Sequence, residues 1–353
     1  MDEASGSRAA ALASALARFP RVPFLPWVTP IERQPRLSAA LGIELLVKRD
    51  DLTGLAFGGN KVRQLEFYFG KARAAGADTV LITGAVQSNY VRVAAACAAR
   101  LGMDCHVQLE DRVPDVDETY RRSGNVLLDE LLGATLHSYP LGEDEAGADR
   151  RLGEIAAALA AKGGRPFVIP LGAEHPPLGA LGYVQCAMEL LDQGAGFDHV
   201  VVGSGSGHTH AGLLFGLRAL GWCGQVLGIC VRRAAALQRE RIVTHCRRIA
   251  ELLEVSNPVD ATDVIVHDEV LAPGYGVMNA AVAEAVRLAA RLDGLLLEPV
   301  YTGRAMAGLI ACARDGRLPR GARVVFVHTG GLPALFGYEE VVRRTVIGDG
   351  RRR

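Results

Sequence analysis

The sequence predicts an α/β fold of two three-layer subdomains, each built on a parallel-rich, twisted sheet. Three observations carry that prediction. Short β-branched runs alternate with longer alanine- and leucine-rich stretches throughout the 353 residues. The short runs are apolar on both faces, as strands covered by helices on both sides must be. Glycine- and hydroxyl-rich segments stand at or beside strand-to-helix junctions, where sheets of this kind bind their ligands. A chain of this length has room for a large buried core and a second subdomain.

Taken in order, strand-like runs occupy 44–48, 79–83, 106–109, 167–170, 199–202, 226–231, 264–267 and 323–327. Helical stretches fall between them at 91–101, 125–131, 151–161, 178–191, 209–220 and 278–292. The N-terminal segment carries Asp2 and Glu3 at once and has no continuous apolar run. It reads as a frayed or amphipathic helix rather than a signal peptide. No internal repeat or low-complexity linker interrupts the alternation, and composition alone draws no boundary between the subdomains.

Apolar residues make up 49% and charged residues 22%, the profile of a soluble globular protein. Lys+Arg and Asp+Glu each number 39, so the formal net charge is zero. That balance argues against a nucleic-acid or membrane-surface protein, whose electrostatic footprint is basic. The only basic run, at 351–353, reads as a solvated tail. No stretch approaches the ~18 apolar residues of a membrane span. Seven scattered cysteines without a C-x-x-C pair suggest reduced, mostly buried thiols. The expectation is a soluble cytoplasmic protein.

Four segments carry candidate chemistry. Residues 48–61 read KRDDLTGLAFGGNK, in which Gly58 and Gly59 let the backbone approach a ligand and present Lys61 at the start of a helix over 62–71. A helix N-terminus and an apolar cleft both disfavour an ammonium, as a Schiff-base lysine requires; a surface lysine beside a tight turn fits the same local pattern. Residues 83–90 read TGAVQSNY, where Ser88, Asn89 and the following amides would form an anion site suited to a carboxylate, or an ordinary helix cap. Residues 200–212 read VVVGSGSGHTHAG, a strand entering a glycine turn whose amides converge as phosphate binding requires. Neither a P-loop nor a clean dinucleotide fingerprint matches it. His208 and His210, two apart, cannot share a helical face as metal ligands, so no metal is expected. Finally, 298–304 (EPVYTGR) and 328–336 (HTGGLPALF) put hydroxyls at the exits of apolar strands. Those hydroxyls would hydrogen-bond a heteroaromatic ring nitrogen or simply cap local structure.

Together and in this order, these segments resemble the D-cysteine desulfhydrase and 1-aminocyclopropane-1-carboxylate (ACC) deaminase family of fold type II enzymes dependent on pyridoxal 5′-phosphate (PLP). The resemblance runs from about residue 18 to about 338 and includes VKRDDLTGLAFGGNK, GAVQSN, Y-x-x-SGNVLLD, PLGALGY, GSG-x-THAG, PVYTG and HTGG-x-PALF. It implies that Lys61 holds PLP as a Schiff base and later moves protons at the substrate Cα. Asn89 would bond the ring hydroxyl, while Gly205, Ser206, Gly207, His208 and Thr209 cradle the phosphate. Ser88 would grip the substrate carboxylate and assist proton transfer, next to Tyr90. Tyr275 and Tyr301 match tyrosines projecting into the substrate pocket, so the implied catalytic set is Lys61, Ser88, Tyr275 and Tyr301. It also implies a homodimer, with a small domain, 63–175, closing over a large PLP-binding domain formed by 1–62 and 176–353.

The substrate is expected to be a small amino acid. ACC lacks an α-hydrogen, so opening its ring asks for a strong electron sink and an acidic partner at the pyridine nitrogen. The deaminases carry Glu after the tyrosine of PVY, where this chain has Thr302, and Leu where it has Thr329. Neutral hydroxyls suit elimination of a good β-leaving group, so α,β-elimination on a D-cysteine-like substrate is expected. Three departures bear on the substrate: Tyr90 follows QSN where the desulfhydrases have His, His208 replaces a glycine of GSGGT, and 171–178 (LGAEHPPL), with Glu174 and His175, replaces a shorter GGS-x-PLG. Cysteate, β-replacement, racemisation, ACC-type deamination and non-catalytic PLP binding stay open at this point.

Overall fold

The computed structural model describes residues 3–172 and 175–347. Its strands are β1 (Ile31–Arg33), β2 (Glu44–Lys48), β3 (Thr79–Ala85), β4 (Asp104–Glu110), β5 (Thr135–Tyr139), β6 (Pro166–Ile169), β7 (His199–Ser204), β8 (Gln225–Cys230), β9 (Ile265–His267) and β10 (Arg323–Val327). They form a six-stranded sheet, β1-β2-β10-β7-β8-β9, and a four-stranded sheet, β5-β4-β3-β6. Every pairing is parallel except that of β1 with β2. The chain starts on the larger sheet, builds the smaller one between residues 79 and 169, and returns.

The eight strands anticipated from the sequence are all present. β1 and β5 were not anticipated, and both are edge strands. Ile31-Glu32-Arg33 has one apolar residue, and the side chains of β5 are partly exposed throughout. Edge strands need no apolar run on both faces, which is the signal that marks central parallel strands. The N-terminal helix Glu3–Ala17 buries Leu12, Ala15 and Leu16 and is amphipathic as expected. Six of the seven thiols are buried and Cys223 is exposed, with no disulfide among the described residues. No helix among those residues is long and apolar enough to cross a membrane.

A buried ionic cluster fixes the segment that follows β2. Lys48, Asp50 and Arg63 are all buried. Lys48 pairs with Glu189 and donates to the Thr29 carbonyl at 2.7 Å. Arg63 bridges Asp50 and Glu189, each at 2.9 Å, and the Tyr183 hydroxyl donates to Asp50. Removing one partner from such a cluster leaves a buried, uncompensated charge, so the cluster acts as a unit. It ties β2, the helix Asn60–Ala74 and the helix Leu181–Asp192 together beneath the loop that carries Lys61.

Candidate active site

Lys61 sits in the first turn of the helix Asn60–Ala74 because two glycines in left-handed conformations precede it. Gly58 has φ +61° and Gly59 φ +112°. A Cβ on Gly58 would lie 2.4 Å from the Asp51 carbonyl oxygen, so no side chain fits there. The buried Thr53 clamps the turn: the Gly59 amide donates to its Oγ1 at 2.7 Å, and its hydroxyl lies 3.0 Å from the Gly59 carbonyl. The Asn60 amide donates to the Thr329 carbonyl at 3.0 Å, joining the turn to the segment after β10. The lysine Nζ reaches Gln64 Oε1 at 3.3 Å and stands 5.2 Å from the Tyr90 ring centroid. With no carboxylate paired to it among the described residues, burial pushes its amine down to about 8.

Across the cleft, β7 runs into Gly205–Gly207 and the helix His208–Ala219. The loop carbonyls are engaged from behind. Gly205 accepts from Arg233 and Gln238, and Ser206 from Arg241, with His245 Nε2 3.0 Å away. The first amides of a helix have no partner within it, so this start offers unspent donors and the positive end of the dipole. Gly207 is the turning point: φ is +101°, and a Cβ would meet His245 Cδ2 at 2.7 Å. Thr209 Oγ1 accepts from Asn60 Nδ2 (2.8 Å) and Gln64 Nε2 (2.9 Å), so its remaining capacity is to donate. The His208 side chain leaves the cleft wall and packs edge-on against His245, with ring centroids 4.9 Å apart. Burial holds it neutral, well below the ordinary histidine range.

The opposite wall is the start of the helix Asn89–Leu101. Ser88 caps it, its Oγ accepting from the Tyr90 amide (3.2 Å) and the Val91 amide (3.3 Å). With both acceptor positions used, its proton is what it presents to the cleft. Asn89 Oδ1 is held by Arg92 and Asn125, which leaves its Nδ2 as the free donor end. The buried Arg92 also donates to the Gly58 carbonyl at 2.8 Å, so one guanidinium links Asn89 to the lysine loop. Tyr90 is buried, with its ring toward Lys61 and its hydroxyl beside that of Tyr68.

Lys61, Ser88, Asn89, Tyr90, Gly205, Ser206, Gly207, Thr209, Tyr275, Tyr301 and Thr329 line one cleft between the carboxyl ends of the two sheets. The Tyr275 and Tyr301 hydroxyls are 2.6 Å apart, with the rings edge to face. Thr302 lies behind this wall: it is buried, and its hydroxyl is engaged with Glu298. The fully buried Glu298 spends its carboxylate on the amides of Val300, Tyr301 and Thr302 and so shapes the turn that projects Tyr301. Glu174 lies outside the described residues, and His175 is 3.4 Å from Asp149. Sequence reasoning missed Arg112 and Arg232, which also line the cleft. Each follows a strand end, of β4 and β8 respectively, so the carboxyl-end rule applied to every strand would have found both.

This donor set fits PLP. An amine of lowered basicity stands opposite a helix start with unspent amides, Asn89 has a free amide donor suited to a phenolic oxygen, and Thr329, a hydroxyl-bearing residue suited to a ring nitrogen, is on the wall. The comparisons agree. A model described as "Pyridoxal-phosphate dependent enzyme" matches residues 22–330. A crystal structure of an ACC deaminase homologue is 38% identical, covers 94% of this chain and 98% of its own, and superposes with TM-score 0.85. Threonine deaminase isoform 2 from Solanum lycopersicum (15% identity, 94% and 85% coverage, TM-score 0.62) and O-ureido-L-serine synthase (21%, 93% and 95%, 0.63) share the fold. The cleft between the two sheets has the donors to hold that cofactor, and the chain belongs to the pyridoxal-phosphate dependent enzyme family.

Proposed function

We propose that this enzyme performs α,β-elimination on a small β-substituted amino acid resembling D-cysteine, releasing an α-keto acid, ammonia and the leaving group. The observation that carries the reading is chemical: among the described residues lining the cleft there is no carboxylate. PLP bound there supplies an electron sink for negative charge at Cα. Facing a hydroxyl such as Thr329 rather than an acid, that sink is moderate, adequate when a good leaving group departs from Cβ.

The chain's own groups divide the remaining work. Lys61, already poised near neutrality, takes the Cα proton and returns it where needed. Ser88 donates its hydroxyl proton to the substrate carboxylate at the start of its helix. The paired phenols of Tyr275 and Tyr301 stand where a departing group can be protonated. Exclusion of water fits a small domain, 63–175, closing over 1–62 and 176–353. A homodimer fits the exposed apolar side chains Trp27, Leu52, Phe57 and Leu296, grouped around one depression.

Lys61→Ala tests the reading. The expected outcome is loss of the lysine-linked visible absorption band and a fall in α-keto acid formation of at least about a thousandfold. Full turnover by the variant, or inverted amino acid in place of keto acid from the wild type, sinks it.

A further inference from the structure

Arg112 has a feature that binding PLP does not use. Its side chain is only 6% exposed, yet it faces the cleft. Its Nε and Nη2 both donate to Glu110 Oε2, at 2.9 and 2.7 Å. Glu110 is in turn fixed through its other oxygen by the Thr83 hydroxyl at 2.7 Å. Nη1 finds no acceptor among the described residues. A guanidinium held rigidly by one edge, with its other edge bare at the cleft wall, is prepared for an anion.

The surroundings point the same way. Gly142 packs on Arg112, and its carbonyl accepts from Arg232 Nη2 at 3.3 Å, so the two cleft arginines share one rim. Arg232, Arg233 and Arg241 all converge on Glu145, and Glu143 takes only Arg232. Three guanidiniums thus share the two carboxylates Glu143 and Glu145. The rim also lies against the tyrosine pair. The residue after Arg112, Val113, abuts Gly276, the residue after Tyr275, and the Arg112 charge acts on both phenols. Ser88 and the helix start at Asn89 already account for the α-carboxylate. The Arg112 end of the cleft is left for the β-substituent.

We propose that this enzyme selects substrates whose β-substituent is itself anionic, a sulfonate or a phosphate ester, with Arg112 as the group that binds it. The proposal rests on the elimination reading and narrows its substrate. The step balances without an oxidant. The Cα proton passes to the Lys61 amine, the Cβ–S or Cβ–O bond breaks with its electron pair leaving on sulfite or phosphate, and one water converts the released aminoacrylate to pyruvate and ammonia.

Binding separates this proposal from the chemistry it rests on. The holoenzyme is titrated calorimetrically with 3-sulfopropanoate and with 3-(methylsulfonyl)propanoate, which has the same shape but no second charge. Neither has an amine, so neither can react. The sulfonate is expected to bind at least about tenfold tighter, as a charge-assisted hydrogen bond gives. Arg112→Gln should reduce that preference to within about twofold, and Arg112→Lys should restore part of it. Equal binding of the two probes to the wild type, which requires no variant to fold, overturns the proposal. So does a preference unchanged in Arg112→Gln. In parallel, both enantiomers of cysteate, O-phosphoserine and cysteine are assayed for pyruvate, sulfite, phosphate and sulfide. Pyruvate from cysteate or phosphoserine at a kcat/KM at least about tenfold above cysteine supports the proposal and names the leaving group. A better kcat/KM for cysteine overturns it while leaving elimination intact. A sulfonate preference with no pyruvate from any substrate sinks elimination alone.

Discussion

Two helix starts face each other across the cleft, and they are finished differently. The helix Asn89–Leu101 begins with its own side-chain cap, so Ser88 consumes the amides of Tyr90 and Val91. The helix His208–Ala219 begins at Gly207, with no side-chain cap at all. Both starts carry a hydroxyl whose acceptor positions are filled. For Ser88 the donors are its own helix amides; for Thr209 they are the side chains of Asn60 and Gln64, from another helix. The outside donors make the difference. At 207–209 the hydroxyl is oriented without spending a helix amide, which suits a dianionic phosphate needing many donors. At 88–91 two amides are already spent, and what remains, one proton and a weaker dipole end, suits a singly charged carboxylate.

The largest way to break that contrast is Gly207→Ala. The new methyl would have to fit at φ +101° and 2.7 Å from His245 Cδ2. Strain of about 2–3 kcal/mol, relieved only by moving the loop, should weaken PLP binding by roughly thirty- to a hundred-and-fiftyfold. Titration of the apoprotein with PLP measures it; unchanged affinity would mean that this loop does not hold the phosphate. A second, intermediate effect lies between the two helix starts, at Lys61. Its depressed basicity means that the reactive free amine predominates above about pH 8 rather than above the usual 10.5. The initial rate of PLP uptake should therefore rise about tenfold per pH unit below pH 8 and level off above it. A rate still climbing at pH 10 would show that burial in the cleft does not lower the lysine.

Much of this was legible in the sequence, for identifiable reasons. Central strands such as β3, β7 and β10 announce themselves because they are buried on both faces. β1 and β5 do not, because an edge strand needs only half of that burial. The glycines at 58, 59 and 207 signal turns that no other residue makes cheaply, and Lys61 and Thr209 were found beside them. What local pattern could not deliver was side-chain direction. Thr302 stands next to Tyr301, yet it turns back to Glu298 while Tyr301 faces the cleft. His208 is in the glycine loop after β7, yet its ring packs on His245. Arg92 escaped notice because its role depends on a partner distant in sequence, the Gly58 carbonyl; Arg112 stands at the carboxyl end of β4, where the strand-end rule reaches it, but the bracing of its partner Glu110 by Thr83 forms across the sheet.

The smallest effect separates the two jobs of Ser88. Ser88→Ala removes both the cap and the proton donated to the carboxylate. Ser88→Gly removes the donor but keeps most of the helix start, since glycine at an N-cap costs only a few tenths of a kcal/mol where alanine costs about 1 kcal/mol. If the serine serves substrate as well as helix, the two variants should share one loss, about tenfold in the affinity for a carboxylate ligand. They should differ in stability, with alanine about 1 kcal/mol worse in denaturant unfolding. If the hydroxyl only caps, the glycine variant should bind as the wild type does, and the contrast between the two helix starts would reduce to a contrast in capping. The stability difference shows that glycine tolerates the loss of the side-chain cap where alanine does not. The binding difference then reports on the proton alone, which is the part of the argument that Ser88's hydrogen bonds to Tyr90 and Val91 make specific.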